Sequence, residues 1–491
     1  MTLNGYVRVG SALLVLATAL PCRAQSLAPN TVRVIESSEG DTIKMSVSPA
    51  SAPTPLLRYR MTMPSYETIP GNAASHYRRS LAEQSFYRPL RLAEEKLGDD
   101  RFYSFVREMS LDEIPIDELR EASGFFDDYV EAFLVPATQS RDCEWGLGEE
   151  FLSGENFLQF RLPFMQTSRS IGRVLVLQAR CAIAEQDYEK ATDRLRMLYL
   201  LGHRVGNTKI LVCSLIGMAE GGMANHAMLD LMAAPDSPNM YWALASLPDP
   251  YVDFRGALRV DLGLGPRILG LENVEELQLS DEEWNRRLRS ATALLMKGIG
   301  NGEMDAEPDV GTSLAATGLV MGRYNGAKKR LLDAGMKPER IKKMAIGQVV
   351  LIDATREYQR IADELEAIAY LPPLESRKKQ DRADELFQVD GASSLGLMLA
   401  GQILPASTAM SNAVTRFDRE VAGMRTIEAI RMHAAQTGEL PKTLDEIQIV
   451  FVPKNPATDK PFSYRVEGST AHLDFGEGLP TTKRFEITLA K

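Results

Sequence analysis

The sequence predicts a mainly α-helical protein, built from helical hairpins, that ends in a small C-terminal α+β module. From about residue 72 to residue 437 the apolar side chains recur with the 3.6-residue period of helices. Beyond residue 461 they alternate with a period of two, which is typical of strands. Together with a leader at 1–24, these patterns divide the chain into a strand segment and linker at 25–54, a helical body at 55–405 and the C-terminal module at 406–491.

The first 24 residues have the pattern of a secretory signal peptide. Arg8 is followed by the uncharged apolar run Val9–Leu20, then by Pro21 and the small-residue site Cys22–Ala24. A run of about a dozen apolar residues is too short for a membrane span, which needs about 20. We therefore expect cleavage near Ala24 and a periplasmic or secreted protein. A lipoprotein anchored through Cys22 and an uncleaved anchor stay open as alternatives.

The charge balance bears on the class of partner. The whole chain has a net charge of −10; without Arg8 and Arg23 its 56 basic residues fall to 54, against 66 acidic ones. Such a chain repels phosphate backbones and anionic lipid, so nucleic acid is not an expected partner. Envelope proteins are the expected partners, and no cofactor or metal is implied.

Three cysteines remain after the expected cleavage: Cys143, Cys181 and Cys213. Three cannot all pair, and a chain of this size needs no disulfide scaffold. Cys181 and Cys213 lie in apolar helical surroundings. We expect buried free thiols, with one bridge between two of the three left open.

The mature chain is expected to start with two short strands. In residues 31–48 the apolar residues are spaced by two around a turn at Gly40-Asp41, which predicts a hairpin. A Ser/Ala/Pro connector follows from Pro49 to Pro55. Helical structure is expected from about Asn72.

A helical hairpin is predicted for 171–205, with its turn at Gln186-Asp187. Ala179 and Ala191 are small enough to let the two helices approach closely. The pair resembles one tetratricopeptide unit, and the next 34 residues do not repeat the pattern. A repeat array is therefore not predicted.

A long helix is predicted from Glu339 to Tyr370 by a single apolar stripe. Gly335 suits a left-handed cap before it, and Leu371-Pro372-Pro373 ends it. Residues 325–390 thus predict helical hairpins with short turns.

The stretch from Gly391 to Thr415 has no charged residue, so a membrane span has to be weighed. Gln402, Pro405, several glycines and many hydroxyl side chains leave too little apolar surface for one. A buried helix pair broken at Pro405 is the better interpretation, and no integral membrane span is expected.

The C-terminal module is predicted to contain a helix, a turn and strands. The helix runs from about Ala413 to Gln436 and ends at Gly438, and a short helical turn is expected at Leu444–Ile447. Two alternating runs, 462–466 and 471–475, predict strands joined by a turn at Glu467-Gly468.

Two resemblances follow from short strings. Thr437–Pro441, Pro453, Asn455-Pro456, Pro461–Tyr464 and Gly476 resemble the C-terminal half of type II secretion pseudopilins, over about 80 residues. That resemblance implies a long helix followed by a loop and a small antiparallel sheet. Because pseudopilins have their processing site and membrane helix at the extreme N-terminus, a role in a fibre is not implied.

The second resemblance covers most of the mature chain and is to an uncharacterised family of exported bacterial proteins. The strings that carry it are Leu57–Arg60, Pro70–Ala74, Asp142–Trp145, Pro238–Leu244, Leu247-Pro248, Asp253 and Arg255. This resemblance supports the architecture and implies no chemistry.

No catalytic motif in the sequence identifies an active site. The zinc-protease, nucleophile-elbow and phosphate-loop patterns are absent from the sequence. Ser376–Lys379 fits the Ser-x-x-Lys pattern inside a charged stretch, where chance explains it. The five histidines, at 76, 203, 226, 433 and 472, have no metal-ligand spacing.

One group of residues suggests a binding site: Tyr241, Trp242, Asp253 and Arg255. Aromatic faces beside an acid and a guanidinium can hold a small ligand or a peptide. The alternative is that the two aromatic side chains pack one helix on another and that Asp253 pairs with a nearby base.

Two functions follow as hypotheses. The first is a non-enzymatic exported protein that binds other proteins or organises the cell envelope. The second is an envelope hydrolase whose site is assembled from dispersed residues, either two carboxylates or a histidine-centred pair in one cleft. Self-association as a structural envelope component is a third possibility.

Overall fold

The computed structural model describes residues 32–36, 40–81, 83–146, 163–299, 310–372, 374–379, 395–400, 404–476 and 483–490. Three predicted features lie wholly or partly outside these residues: the leader at 1–24, the last residues of the helical hairpins at 325–390, and part of the uncharged stretch at 391–415. Helix accounts for 61% of the structure and strand for 10%. The prediction of a mainly α protein with a small C-terminal α+β part is confirmed.

The N-terminal part begins with a hairpin and continues as a group of short helices. The predicted hairpin is present, because Val34 of the first strand pairs antiparallel with Ile43 of the second. A second, two-stranded sheet joins β3 and β4. The elements are β1 (Val32–Ile35), β2 (Asp41–Val47), β3 (Ile69–Asn72), α1 (Ala73–Ser80), α2 (Glu83–Leu97), α3 (Asp99–Tyr103), α4 (Ile116–Gly124), α5 (Asp127–Tyr129), α6 (Val135–Gln139) and β4 (Ser140–Asp142).

Three long helices form the centre of the body: α7 (Pro163–Ala184), α8 (Tyr188–Gly206) and α9 (Leu211–Ala233). The turn between α7 and α8 is the predicted one, with Gln186 at φ 61° and the Asp187 side chain accepting from the Lys190 amide. Helices α8 and α9 approach most closely at Gly217, where an added Cβ would overlap the backbone of Gly202 and Gly206. Glycines therefore fix the shortest distance between these two helices.

A second group of helices has a hydrophobic cluster of its own, around Trp284 and Ile352. The helices of this part of the chain are α10 (Tyr241–Ala245), α11 (Arg255–Ile268), α12 (Asp281–Ile299), α13 (Val310–Asp333), α14 (Pro338–Ile341), α15 (Ile346–Ile368) and α16 (Leu395–Ala400). The cluster is formed by residues of α12 to α16 together with the segment between α11 and α12. As predicted, Gly335 has a left-handed backbone conformation, with φ 86°.

The prediction of a single helix from Glu339 to Tyr370 is wrong. The chain leaves the helix after α14, and Ala345 takes an extended conformation that caps α15. This break places Gly347 against the backbone of Trp284, where an added Cβ would lie 2.9 Å from the Trp284 carbonyl oxygen. The glycine in the first turn of α15 therefore allows this helix to pack closely on α12.

The longest helix, α17 (Leu404–Thr437), starts before the predicted helix and has Pro405 in its first turn. The strands after it are β5 (Ser463–Glu467), β6 (Thr470–Asp474) and β7 (Lys483–Leu489). The predicted β5–β6 hairpin is present, with Val466 opposite Ala471. The last strand, β7, was not predicted.

The C-terminal sheet includes the N-terminal hairpin. Its strand order is β1-β2-β7-β6-β5, and β2 pairs in parallel with β7, Ile43 opposite Phe485. From their sequence patterns the two ends of the chain were expected to form separate segments. In the structure they form one five-stranded sheet, whose buried face shares a hydrophobic cluster with α7, α8, α9 and α17.

A buried ion pair on α17 joins this helix to the segment after β2 and to the loop before α10. Glu428 and Arg431 are both fully buried, and Arg431 Nη1 lies 2.9 Å from Glu428 Oε1. The same guanidinium donates to the carbonyl oxygens of Ser48 and Ser237. The strand segment, the loop before α10 and the long helix therefore meet at one side chain.

Across the part of the chain that the structure describes, no helix combines the length and apolar character needed to cross a membrane.

Candidate functional site

A cleft of about 340 Å³, lined by both polar and apolar side chains, opens where three remote segments meet. These segments are the 246–254 loop before α11, the end of α15 with the residues after it, and the first half of α17. We call this feature the acidic cleft; its polar lining residues are Asp249, Asp253, Arg255, Tyr370, Ser376, Ser411, Thr415 and Asp418.

Packing of aromatic rings positions the 246–254 loop on α17. Tyr251 and Phe417 are stacked, with centroids 4.2 Å apart, and the Tyr251 hydroxyl donates to the Tyr199 carbonyl oxygen at 2.7 Å. An added Cβ at Gly221 would lie 2.7 Å from the Tyr251 ring, so this glycine makes room for it. Because Tyr251 and Phe417 are fixed, their neighbours Asp249 and Asp418 are brought to the same cleft.

Asp253 and Arg255 form a two-point ion pair at one side of the cleft. Arg255 donates to both oxygens of Asp253, at 2.6 Å each, and its guanidinium lies 5.1 Å from the centre of the Tyr370 ring. The hydrogen bonds from Arg255 hold the pKa of Asp253 below its ordinary value. The charge of Asp253 is thus already compensated within the protein.

Asp418 is the most perturbed acid of the cleft. Burial raises its pKa to about 7, and the nearby charge of Asp249 acts in the same direction. Asp249 itself lies exposed on the loop, next to Pro250. Neither carboxylate has an ion-pair partner among the described residues, in contrast to Asp253.

Buried hydroxyl groups complete the lining. Ser376, Ser411 and Thr415 are only 4%, 8% and 2% exposed. The Thr415 hydroxyl donates to the Ser411 carbonyl oxygen at 2.9 Å. Within the described residues the hydroxyls of Ser376 and Ser411 have no hydrogen-bond partner, which leaves both available to a molecule in the cleft.

The four residues suggested by the sequence are divided between two places. Asp253 and Arg255 line the acidic cleft, whereas Tyr241 and Trp242 do not. The Tyr241 ring is 2% exposed, packs edge-on against Trp242 and lies under the guanidinium of Arg425 at 4.7 Å. Its hydroxyl donates to the Phe451 carbonyl oxygen.

Several lining residues were missed by sequence reasoning. Asp249 and Asp418 are 169 positions apart, so no spacing pattern connects them. Ser376 belongs to the Ser-x-x-Lys string that chance explained, and Ser411 and Thr415 come from the uncharged stretch. The one sequence signal that could have indicated a polar site was the presence of hydroxyl side chains in the uncharged stretch at 391–415.

Other reactive groups lie away from the cleft. Cys143, Cys181 and Cys213 are free thiols, and burial raises the pKa of both Cys143 and Cys213 to about 11. No histidine lines the cleft. In the described ranges, no group of three or more His, Cys, Asp or Glu side chains is placed to hold a metal ion.

No protein-family model, curated protein or solved structure matches this chain. The resemblances to pseudopilins and to an exported family therefore remain predictions from the sequence. The geometry of the cleft is the basis for a function.

Proposed function

We propose that this chain is an exported, non-enzymatic binding protein of the bacterial cell envelope that holds a segment of a partner protein in the acidic cleft. One observation carries the proposal: remote parts of the chain converge on a cleft whose polar groups are only partly satisfied within the protein. Both Asp249 and Asp418 lack a cationic partner in the described chain, and Ser376 and Ser411 present unused hydroxyls.

The cleft is large enough to hold part of a peptide, and an exposed aromatic ring lies at its edge. Its volume of about 340 Å³ is within the range of about 300–1,000 Å³ of small-ligand sites. The Tyr370 side chain is 62% exposed at the rim, where a partner can cover it. Tyrosine is one of the residue types enriched among those that dominate binding energy once a partner has buried them.

Photo-crosslinking in the producing bacterium tests this proposal. With p-benzoylphenylalanine at position 370, we expect one protein adduct of defined mass; at Tyr66, 77% exposed and outside the cleft, we expect none of that mass. Filling the cleft with Val414→Trp should abolish the adduct. The control Val212→Trp, at a 43% exposed position outside the cleft, should not. An adduct that survives Val414→Trp argues against the cleft as the site.

Export is tested separately. N-terminal sequencing of the protein from the periplasm or medium should give Gln25 as the first residue. Recovery of the full-length chain from the cytosol would contradict this part of the proposal.

A second candidate function is hydrolysis of an envelope polymer, favoured by the pair Asp418 and Asp249. A protonated Asp418 near neutral pH can donate to a leaving group while a second carboxylate activates water. Incubation of the purified chain with isolated cell-wall polymer should then release soluble fragments, measured by mass spectrometry. Asp418→Asn should abolish the release, and equal release by this variant excludes the mechanism.

A further inference from the structure

We infer that the occupant of the acidic cleft is a cationic side chain, the ammonium of lysine or the guanidinium of arginine, held between the carboxylates of Asp249 and Asp418. This inference rests on the proposed function and names the chemistry of the partner segment. The geometry that carries it is a cleft with two acids unpaired in the described chain and a nearly buried hydroxyl, Ser376, that has no partner there.

The charges around Asp418 leave a place for a cation. On its own helix, the Arg419 guanidinium lies over the Phe475 ring and Glu420 pairs with Lys483, so both are engaged on the sheet side. Arg416 of the same helix is exposed and does not line the cleft.

Among the residues that the structure describes, the other two segments add no free cation. The 246–254 loop contributes Asp249 and Asp253, and the Arg255 beside it is held by both oxygens of Asp253. The residues directly after α15 contribute the Tyr370 ring. The charged residues of 374–379 do not line the cleft; they are Glu375, Arg377, Lys378 and Lys379.

Binding of a cation changes the protonation of Asp418. In the empty cleft burial raises the pKa of this carboxyl to about 7. A positive charge beside the carboxylate favours its ionised form, so the proton leaves to solvent as the cation enters. Ser376 and Ser411 then accept hydrogen bonds from the N–H groups of the same cation. A neutral polyhydroxylated ligand would produce no such proton release.

Fluorescence anisotropy with a labelled, amidated glycine–lysine peptide tests the inference. Because lysine stays charged to pH 8, we expect the dissociation constant to be roughly tenfold lower at pH 8 than at pH 6. The same peptide with acetylated lysines, which have no charge, should not bind. Equal binding of the two peptides overturns the inference.

Variants identify the groups responsible. Asp418→Asn should hold the affinity at the wild-type pH 6 level and remove its pH dependence, and Asp249→Asn should weaken binding roughly fivefold. Asp363→Asn, exposed on α15 outside the cleft, is the matched control and should bind as the wild type does. Circular dichroism of each variant shows that the fold is retained. A retained pH dependence in Asp418→Asn overturns the role of Asp418.

The two proposals fail in different ways. If p-benzoylphenylalanine at position 370 crosslinks to a partner and the lysine peptide does not bind, the cationic occupant is excluded while the cleft remains a binding site. If neither experiment gives a signal, the proposed function fails and this inference with it.

Discussion

Gly423 of α17 lies directly against the ring of Phe475, so that a Cβ added at this glycine would overlap the ring. The ring also packs on Phe462 and Phe485, with centroids 5.1 and 4.9 Å apart. The sheet therefore lies on the helix through three aromatic rings, at a point where the helix has no side chain. The packing of the sheet on the helical body therefore requires a residue without a Cβ at position 423.

Gly423→Ala should lower the free energy of unfolding by about 1–3 kcal/mol, because the methyl group forces the Phe475 ring out of its position. Urea unfolding of the purified protein measures the effect. Gly222→Ala is the matched control: its Cβ would meet nothing within 4 Å in the middle of α9. Helix propensity there predicts a gain of up to about 1 kcal/mol. Equal stability of both variants would contradict the packing argument.

Arg431→Met should lower the free energy of unfolding by about 3–5 kcal/mol, because it leaves the buried Glu428 carboxylate without its guanidinium. Burial already raises the pKa of Glu428. The double variant Glu428→Leu/Arg431→Met should recover part of the loss, and a double-mutant cycle gives the coupling. At the exposed pair Arg360–Glu364 the same cycle should give less than about 1 kcal/mol. A simple sum of the two single effects at 428 and 431 would refute the coupling.

Local patterns predicted those elements whose side chains alternate or repeat within one segment. The hairpins at 32–47 and 463–474 and the turn at Gln186 were all found in this way. The strand Lys483–Leu489 also alternates, at Phe485, Ile487 and Leu489, and was overlooked. Its parallel pairing with β2 had no local signal, because the two strands are more than 400 residues apart and only tertiary packing brings them together.

The acidic cleft was less predictable than the fold. Asp253 and Arg255 were named from the sequence as an acid and a guanidinium that closely follow the aromatic pair Tyr241-Trp242 along the chain. Asp418 occupies one position of a long helix, and nothing in its neighbourhood distinguishes it from a solvated acid. Its environment is set by the stacking of Tyr251 on Phe417, a contact between distant segments. A site that is assembled from contacts between distant segments can be identified only when the three-dimensional structure is known.

Glu220→Gln should make the protein more stable at pH 8 and flatten its pH dependence. Glu220 is fully buried on α9, the Ser168 hydroxyl donates to it at 2.6 Å, and burial raises its pKa from 4.5 to about 8. Between these two values the unfolded chain loses this proton and the folded chain keeps it, so stability falls as pH rises through the window.

Urea unfolding at pH 5 and pH 8 measures this difference. The wild type should lose on the order of 3 kcal/mol more than Glu220→Gln between the two pH values. The exposed Glu339→Gln on α14 serves as control and should follow the wild type. Parallel pH profiles of wild type and Glu220→Gln would show that residue 220 does not titrate as proposed.

Tyr241→Phe should loosen the 447–452 segment while leaving the aromatic packing in place. The Tyr241 hydroxyl donates to the Phe451 carbonyl oxygen and accepts from Arg425 at 3.0 Å, whereas the ring packs on Trp242 independently of the hydroxyl. The Phe451 side chain is 74% exposed, so this backbone contact, and not burial of its ring, holds the residue. Loss of one such bond costs about 1 kcal/mol.

Hydrogen exchange distinguishes this local effect from a general loss of stability. In Tyr241→Phe the amides of 449–452 should exchange several-fold faster, with little change elsewhere. Tyr358→Phe is the matched control, because its hydroxyl donates to the Leu262 carbonyl oxygen in another part of the fold. It should lower stability by a similar amount and leave exchange at 449–452 unchanged. If both variants accelerate these amides equally, the Tyr241 hydroxyl does not hold the segment, and its role is confined to packing of the ring.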